Sequence, residues 1–382
     1  MNINKFTCQV PFGTVSIRTE SIILIEEVLK SRMVTNGKYV KEFEESFAKL
    51  FNKNYAVAVN SGTAAVTHAL ASLYSMGAKR GDEVILPALT FVASANAIIE
   101  AGFKPVFVDV HTDTLLMNID QIPEKITDRT CAILAVHLMG KVLDIQKIKS
   151  ILPSSVQIVE DTAEAHGAKL NDSCAGTQGI AGCFSLYAAH IITSIEGGIV
   201  ITDDEEIYNR MRSLRNHGLE LQGSNWTFEH IGFSSKMNEL EAIVGLGNVN
   251  QFNHILETRR RNFNYLTDQF IRNEFTDLFT ILTEEPNEKI GPHAFSIILK
   301  KGLPFTKAKF INFLNSKGID NRNLFYSIPT QSNAYKYLGH KLGDFPESEH
   351  CSNNGTHIGI HQDLTIEQLD YVINSIKEFL NG

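Results

Sequence analysis

The sequence predicts an α/β fold: a mainly parallel, seven-stranded sheet with helices on both faces, followed by a smaller C-terminal α/β unit. Three observations carry this. Short apolar runs through the first two-thirds of the chain are continuous rather than alternating in polarity, as expected of strands buried on both faces. Helical patterns lie between several of them, which is the βαβ rhythm of a parallel sheet. From about residue 275 a second set of strand and helix patterns begins, and the chain divides into a large unit over 1–245 and a small one over 246–382.

Taken in order, the candidate strands are Tyr55–Val59, 83–86, 104–110, 132–137, 157–160, 183–186 and Gly198–Thr202. Helices are expected over 63–75, 93–101 and 144–152. A long helical stretch follows from about Asn238 to Phe270, with a break or bend, and Glu257, Arg259, Arg260 and Arg261 read as its solvated face. The small unit holds a strand over 294–299, a helix over 306–317 and a final helix over 365–380. That last helix opens on Thr365 with Gln368 three residues on, a capping-box pattern.

With 43% hydrophobic and 20% charged residues, the chain can bury a substantial core. A formal net charge of −8 without a long Lys/Arg run argues against nucleic-acid binding. An anionic substrate would have to be held by local groups. No apolar stretch reaches the roughly 20 residues that span a bilayer. The start Met1-Asn2-Ile3-Asn4-Lys5 lacks the apolar run of a signal peptide, so a cytoplasmic setting is expected. Cys8, Cys131, Cys174, Cys183 and Cys351 are too far apart for zinc or iron–sulfur spacing. They read as reduced, mostly buried thiols, and no metal site is expected.

Three segments carry chemistry. Asn60-Ser61-Gly62-Thr63 follows a strand and opens a helix. Free N–H groups and a glycine there suit a phosphate, though an ordinary cap by Ser61 or Thr63 accounts for the same residues. Asp161 ends an apolar strand, where a carboxylate can pair with a protonated ring nitrogen or simply cap the next turn. Glu164, one turn on, could reach an oxygen on the same ring or could be solvated. In Phe184-Ser185-Leu186-Tyr187-Ala188-Ala189-His190, Ser185 could add a hydroxyl to a phosphate. His190 precedes Glu196-Gly197-Gly198 and can move a proton near neutrality; a structural histidine is the plainer alternative.

In this order and spacing, these pieces resemble the DegT/StrS family of sugar aminotransferases, which have the fold type I of pyridoxal-phosphate (PLP) enzymes. The likeness runs over essentially the whole chain. It takes in Gly37-Lys38-Tyr39-Val40, Pro87-Ala88-Leu89-Thr90-Phe91-Val92-Ala93, Leu214-Arg215-Asn216-His217-Gly218 and Met237-Asn238-Glu239-Leu240. The resemblance implies that Gly62, Thr63 and Ser185 bind the cofactor phosphate. Phe91 would stack on the pyridine ring, Asp161 would keep the ring nitrogen protonated, Glu164 would lie near the ring oxygen, and His217 would contact substrate. It also implies a homodimer with sites at the interface.

Two departures stand out. Most of the family has lysine six residues before the Glu-Gly-Gly, where this chain has His190. An imidazole cannot form lysine's covalent link to the cofactor, so PLP or its amine, pyridoxamine phosphate (PMP), would be held without one. This substitution marks a branch resembling sugar 3-dehydratases that act on GDP- or CDP-linked 4-keto-6-deoxyhexoses. The CDP-type enzymes carry a [2Fe–2S] cluster and need a cysteine set this chain lacks, so no iron–sulfur cluster is expected. The second departure is Gly232-Phe233-Ser234-Ser235-Lys236, where the family shows Gly-x-Asn-x-Arg. There Ser234 would take over the phosphate contact made in the partner subunit's site.

The resemblance thus implies removal of the C3 hydroxyl from a nucleotide-linked 4-keto-6-deoxyhexose, with His190 as base and glutamate as amino donor. An aminotransferase with a replaced lysine and a non-catalytic cofactor-binding homologue are the alternatives.

Overall fold

The structure is a computed structural model that describes residues 8–382; the Met1–Lys5 segment lies outside it. Helices α1 (Thr19–Ser31) and α2 (Lys38–Leu50) precede β1 (Tyr55–Val59). The large unit continues through α3 (Gly62–Ser72), β2 (Glu83–Pro87), α4 (Val92–Glu100), β3 (Lys104–Val108), β4 (Thr130–Val136), α5 (Ile145–Ile151), β5 (Gln157–Asp161), β6 (Ala181–Ser185), β7 (Gly198–Thr202), α6 (Glu205–Arg215) and α7 (Glu239–Val249). The seven strands form one sheet in the order β1-β7-β6-β5-β4-β2-β3. Only β7 runs antiparallel to its neighbours. It is reached from β6 through a helix-free connection, whereas a parallel neighbour needs a crossover.

The continuous apolar runs have a direct physical outcome, because successive side chains of a strand point to opposite faces. Val57 and Val59 of β1, Val84 and Leu86 of β2, and Ala132, Leu134 and Val136 of β4 enter one core with residues of α3, α4 and α6. Their alternates go elsewhere. Ala56 and Ala58 meet α2 and α7, and Ile85, Ile133 and Ala135 meet α5. Both faces are therefore covered, as expected.

The long helical stretch is two helices, α7 and α8 (Phe252–Arg272), broken at Asn250–Gln251. The division drawn at 245/246 falls inside α7. Four antiparallel strands follow in the order β8-β9-β11-β10: β8 (Phe279–Thr280), β9 (Phe295–Leu299), β10 (Asn321–Asn323) and β11 (Gly355–Ile358). They pack with α9 (Lys307–Ser316), α10 (Pro346–Asn354) and α11 (Ile366–Asn381). The capping box of α11 forms, with Thr365 and Gln368 satisfying each other's backbone. No helix among the described residues is long and apolar enough to cross a membrane.

One expectation is overturned. Of the residues read as the solvated face of α8, Glu257 and Arg261 are exposed but Arg259 is fully buried. Phe252, Ile255 and Leu256 insert into one core and Phe263, Leu266 and Phe270 into another. Arg259 falls on the same stripe, at the seam between them. Its five N–H donors find carbonyls there, which is how a buried guanidinium is tolerated.

Candidate active site

The carboxyl ends of the parallel strands open into a cavity of about 270 Å³, the position where sheets of this type bind ligands. Seven of the nine residues singled out from the sequence line it: Gly62, Thr63, Phe91, Asp161, Glu164, Ser185 and His190.

Each is set there by its element. Ser61 caps α3, its Oγ accepting from Ala64 N at 3.1 Å, so Gly62 and Thr63 begin the helix with amides turned toward the cavity end. Gly62 must be glycine: a Cβ there would lie 2.7 Å from Ser185 Cβ and 3.0 Å from its Oγ. The close approach holds the Ser185 hydroxyl beside the helix N-terminus. Gly197, with φ +147°, similarly leaves room for Met237 and Ser194.

Asp161 ends β5 and is buried. Its Oδ2 accepts from Ser94 Oγ at 2.8 Å and its Oδ1 from Ala163 N at 3.2 Å. Thr90 Oγ1 lies 2.9 Å from Ser94 Oγ, extending the chain of hydroxyls. Burial pushes the Asp161 carboxyl up, with the Ser94 bond opposing. Glu164 accepts from Met139 N at 2.9 Å. Burial, with the nearby Asp161 charge, pushes its carboxyl up to about 7. A site with two carboxyls raised by burial is built to receive a cation or a hydrogen-bond acceptor. Phe91 stands at the rim, 58% exposed, its ring 6.2 Å from that of Phe325.

His190 sits in the helix-free segment between β6 and β7, its N–H donating to Tyr187 O at 3.0 Å. The imidazole is stacked on His166 (ring centroids 5.7 Å, 13° between planes) and lies 4.8 Å from His293. Its Nδ1 is buried without a protein hydrogen-bond partner. Burial, and next the Arg259 guanidinium, push its pKa down to about 3. At neutral pH it is therefore an uncharged base.

His217 and Ser234 do not line this cavity. Both are exposed and lie side by side on an outward strip: His217 N donates to Phe233 O at 2.9 Å, and Asn216 bridges Ser234. The strip is tied to the end of β1, where Asn60 N donates to Ser235 O at 3.0 Å.

Sequence reasoning did not single out Ser94, His293 or Arg259. Ser94 follows three residues after Phe91 on α4, and only the fold brings it to Asp161. No group of three or more His, Cys, Asp or Glu side chains that could hold a metal occurs among the described residues. Of the cysteines, Cys183 and Cys351 are buried and Cys8 is exposed.

Comparisons with known proteins agree with this architecture. A model of the DegT/DnrJ/EryC1/StrS aminotransferase family matches residues 15–377. GDP-4-keto-6-deoxy-D-mannose 3-dehydratase of Escherichia coli O55:H7 is 30% identical over 375 residues, covering 92% of this chain and 95% of the relative. GDP-perosamine synthase of Caulobacter vibrioides is 32% identical over 350 residues, covering 90% and 91%. Among solved structures, an E. coli GDP-4-keto-6-deoxy-D-mannose-3-dehydratase with bound hydrated PLP superposes with a TM-score of 0.88 at 29% identity, covering 96% of this chain and 99% of that one. With its sheet order, cavity and match over nearly the whole length, the chain belongs to the DegT/DnrJ/EryC1/StrS aminotransferase family.

Proposed function

We propose that the protein is a PLP/PMP-dependent dehydratase that removes the C3 hydroxyl of a nucleotide-linked 4-keto-6-deoxyhexose, with a GDP-linked 6-deoxymannose as first candidate. The observation that carries this is His190, an imidazole in the cavity wall where the family resemblance places lysine. Overall likeness does not separate the two chemistries, because dehydratases and perosamine synthases are similar to this chain at 30% and 32% identity. The proposal rests instead on the histidine at 190.

The cavity residues fit the cofactor. The N-terminal amides of α3 at Gly62 and Thr63, with the Ser185 hydroxyl held against them, suit its phosphate. Asp161, oriented by Ser94, faces where a protonated ring nitrogen would sit. That cation would draw the Asp161 carboxyl down again and keep the pair ionised. Glu164, near half-protonation at neutral pH, can donate to a ring oxygen. Phe91, at the rim, would cover the ring.

Bound as its amine, the cofactor would supply an electron sink at the sugar's C4 and the two electrons that release the C3 oxygen, with glutamate restoring the amine. His190 accepts the proton removed from the cofactor's C4′ carbon and can return it to the departing hydroxyl. General acid–base assistance of this type is worth ~10²–10⁴-fold. A lysine here would recapture the cofactor covalently, which favours amino transfer. Histidine leaves release to water.

In a homodimer, the outward strip bearing His217 and Ser234 would face the second copy's cavity, with Ser234 toward the phosphate and His217 toward the sugar. The function is tested by incubating the protein with PLP, glutamate and GDP-4-keto-6-deoxymannose. Loss of the C3 oxygen by mass spectrometry is expected; an amino sugar that retains it would mean aminotransfer instead.

A further inference from the structure

Arg259 of helix α8 reaches the turn that carries His190. Arg259 Nη1 donates to Ala189 O and His293 O, each at 3.2 Å, and Nη2 donates to Ala189 O at 3.2 Å and His190 O at 3.3 Å. Its Nε points to Gln362 Oε1 at 3.4 Å. The guanidinium thus grips the turn that carries His190 and the segment that carries His293, the ring packed 4.8 Å from His190. Arg259 is 1% exposed. Among the described residues no carboxylate forms an ion pair with it; Asp363 acts on it only through space. A cation spending its donors on carbonyls is costly to bury, and a neutral residue could tie the same carbonyls more cheaply.

We propose that Arg259 is a positioning residue for His190: its guanidinium fork fixes the Ala189–His190 turn and sets an unpaired positive charge behind the imidazole. This rests on the reading of His190 as the base. The surroundings of His190 support it. From its own turn it faces Tyr187, from the segment after β5 His166, from the segment before β9 His293, and from α8 Arg259. The same cavity is also lined by His137, Asp161, Glu164 and Glu196. Burial and Arg259 push the imidazole toward neutrality, and the carboxyls do not offset them. His166 and His293 are held well below the ordinary histidine range, first by burial and next by His190, with Arg259 acting on both. Arg259 is pushed down only to about 10 by burial, so it stays charged. The guanidinium is the fixed charge of a pile of uncharged imidazoles.

The test compares R259Q and R259K with the unsubstituted protein by imidazole nitrogen NMR without cofactor, His190 being assigned through H190N. In the unsubstituted protein His190 should stay neutral to the pH at which the fold is lost. R259Q should raise its midpoint by about one unit or more, whereas R259K should leave it neutral. With cofactor and sugar, R259K should keep KM and lose about tenfold or more in kcat, because the charge remains but the fork does not. Titration of His190 near its ordinary value in the folded, unsubstituted protein would overturn the proposal, and so would identical titrations in R259Q and R259K. Should R259Q not fold, the unsubstituted titration and the R259K kinetics still decide. The NMR result stands whether or not the sugar is deoxygenated, so failure of the dehydratase reading is seen separately, in the product.

Discussion

Acid should weaken this fold earlier than its modest charge suggests. Five histidines are held far enough below the ordinary range to stay neutral. Burial pushes His68 to about 4 and both His190 and His357 to about 3, and it sets His166 and His293 well below the ordinary value. Each has a folded pKa below its unfolded one. The unfolded chain therefore binds more protons as pH falls through about 6.5, and stability is lost on the acid side. Between pH 7.5 and 5.5 one such histidine costs about 1.3 kcal/mol, so five cost about 6–7 kcal/mol. Glu164 works in the opposite sense. Its carboxyl, raised to about 7, returns about 1–2 kcal/mol over the same interval. A net loss of about 5 kcal/mol is comparable to the whole stability of many domains. Urea midpoints of the cofactor-free protein at pH 7.5, 6.5 and 5.5 measure it, and H190N should reduce the drop by about 1.3 kcal/mol. A midpoint flat or rising toward pH 5.5 would refute the reasoning.

Other perturbations follow from the same geometry. G62A places a methyl group 2.7 Å from Ser185 Cβ; overpacking should cost about 1–3 kcal/mol, and PLP affinity by fluorescence titration should fall at least tenfold. E164Q removes a carboxyl whose pKa is raised to about 7. Its ionisation penalty grows as pH rises from the ordinary value and is complete above 7, so the cofactor-free variant should gain about 1–3 kcal/mol at pH 8 and nothing at pH 4. H190K should bind PLP covalently, giving a visible absorbance band and, after borohydride, a protein mass increased by the bound cofactor. Absence of that band would mean residue 190 does not face the cofactor aldehyde.

Much of the large sheet was legible because its strands are buried on both faces. Tyr55–Val59 and Gly198–Thr202 appear with the bounds their apolar runs suggest. Others shift at their ends, as with the strand expected over 104–110 that stops at Val108, since terminal residues are decided by ladder pairing rather than pattern. The candidate site residues converge because Gly62, Thr63, Phe91, Asp161 and Ser185 sit at strand carboxyl ends or helix starts, and Glu164 and His190 lie on the segments that follow β5 and β6. What sequence could not supply is long-range pairing. Ser94 reaches Asp161 across 67 positions, and His293 meets His190 only once the C-terminal sheet has docked. Arg259 was misread on charge alone. Its spacing, three after Leu256 and four after Ile255, already put it on the buried stripe. The carbonyls that make its burial tolerable come from three distant segments.

The most direct test of the account is the product made from GDP-4-keto-6-deoxymannose in the presence of PLP and glutamate, analysed by mass spectrometry alongside H190N. The account predicts a sugar lacking the C3 oxygen, with ammonia released and the H190N rate lower by ~10²–10⁴-fold. A product that keeps the C3 oxygen and gains nitrogen at C4 would contradict it, as would an H190N variant that deoxygenates at the unsubstituted rate.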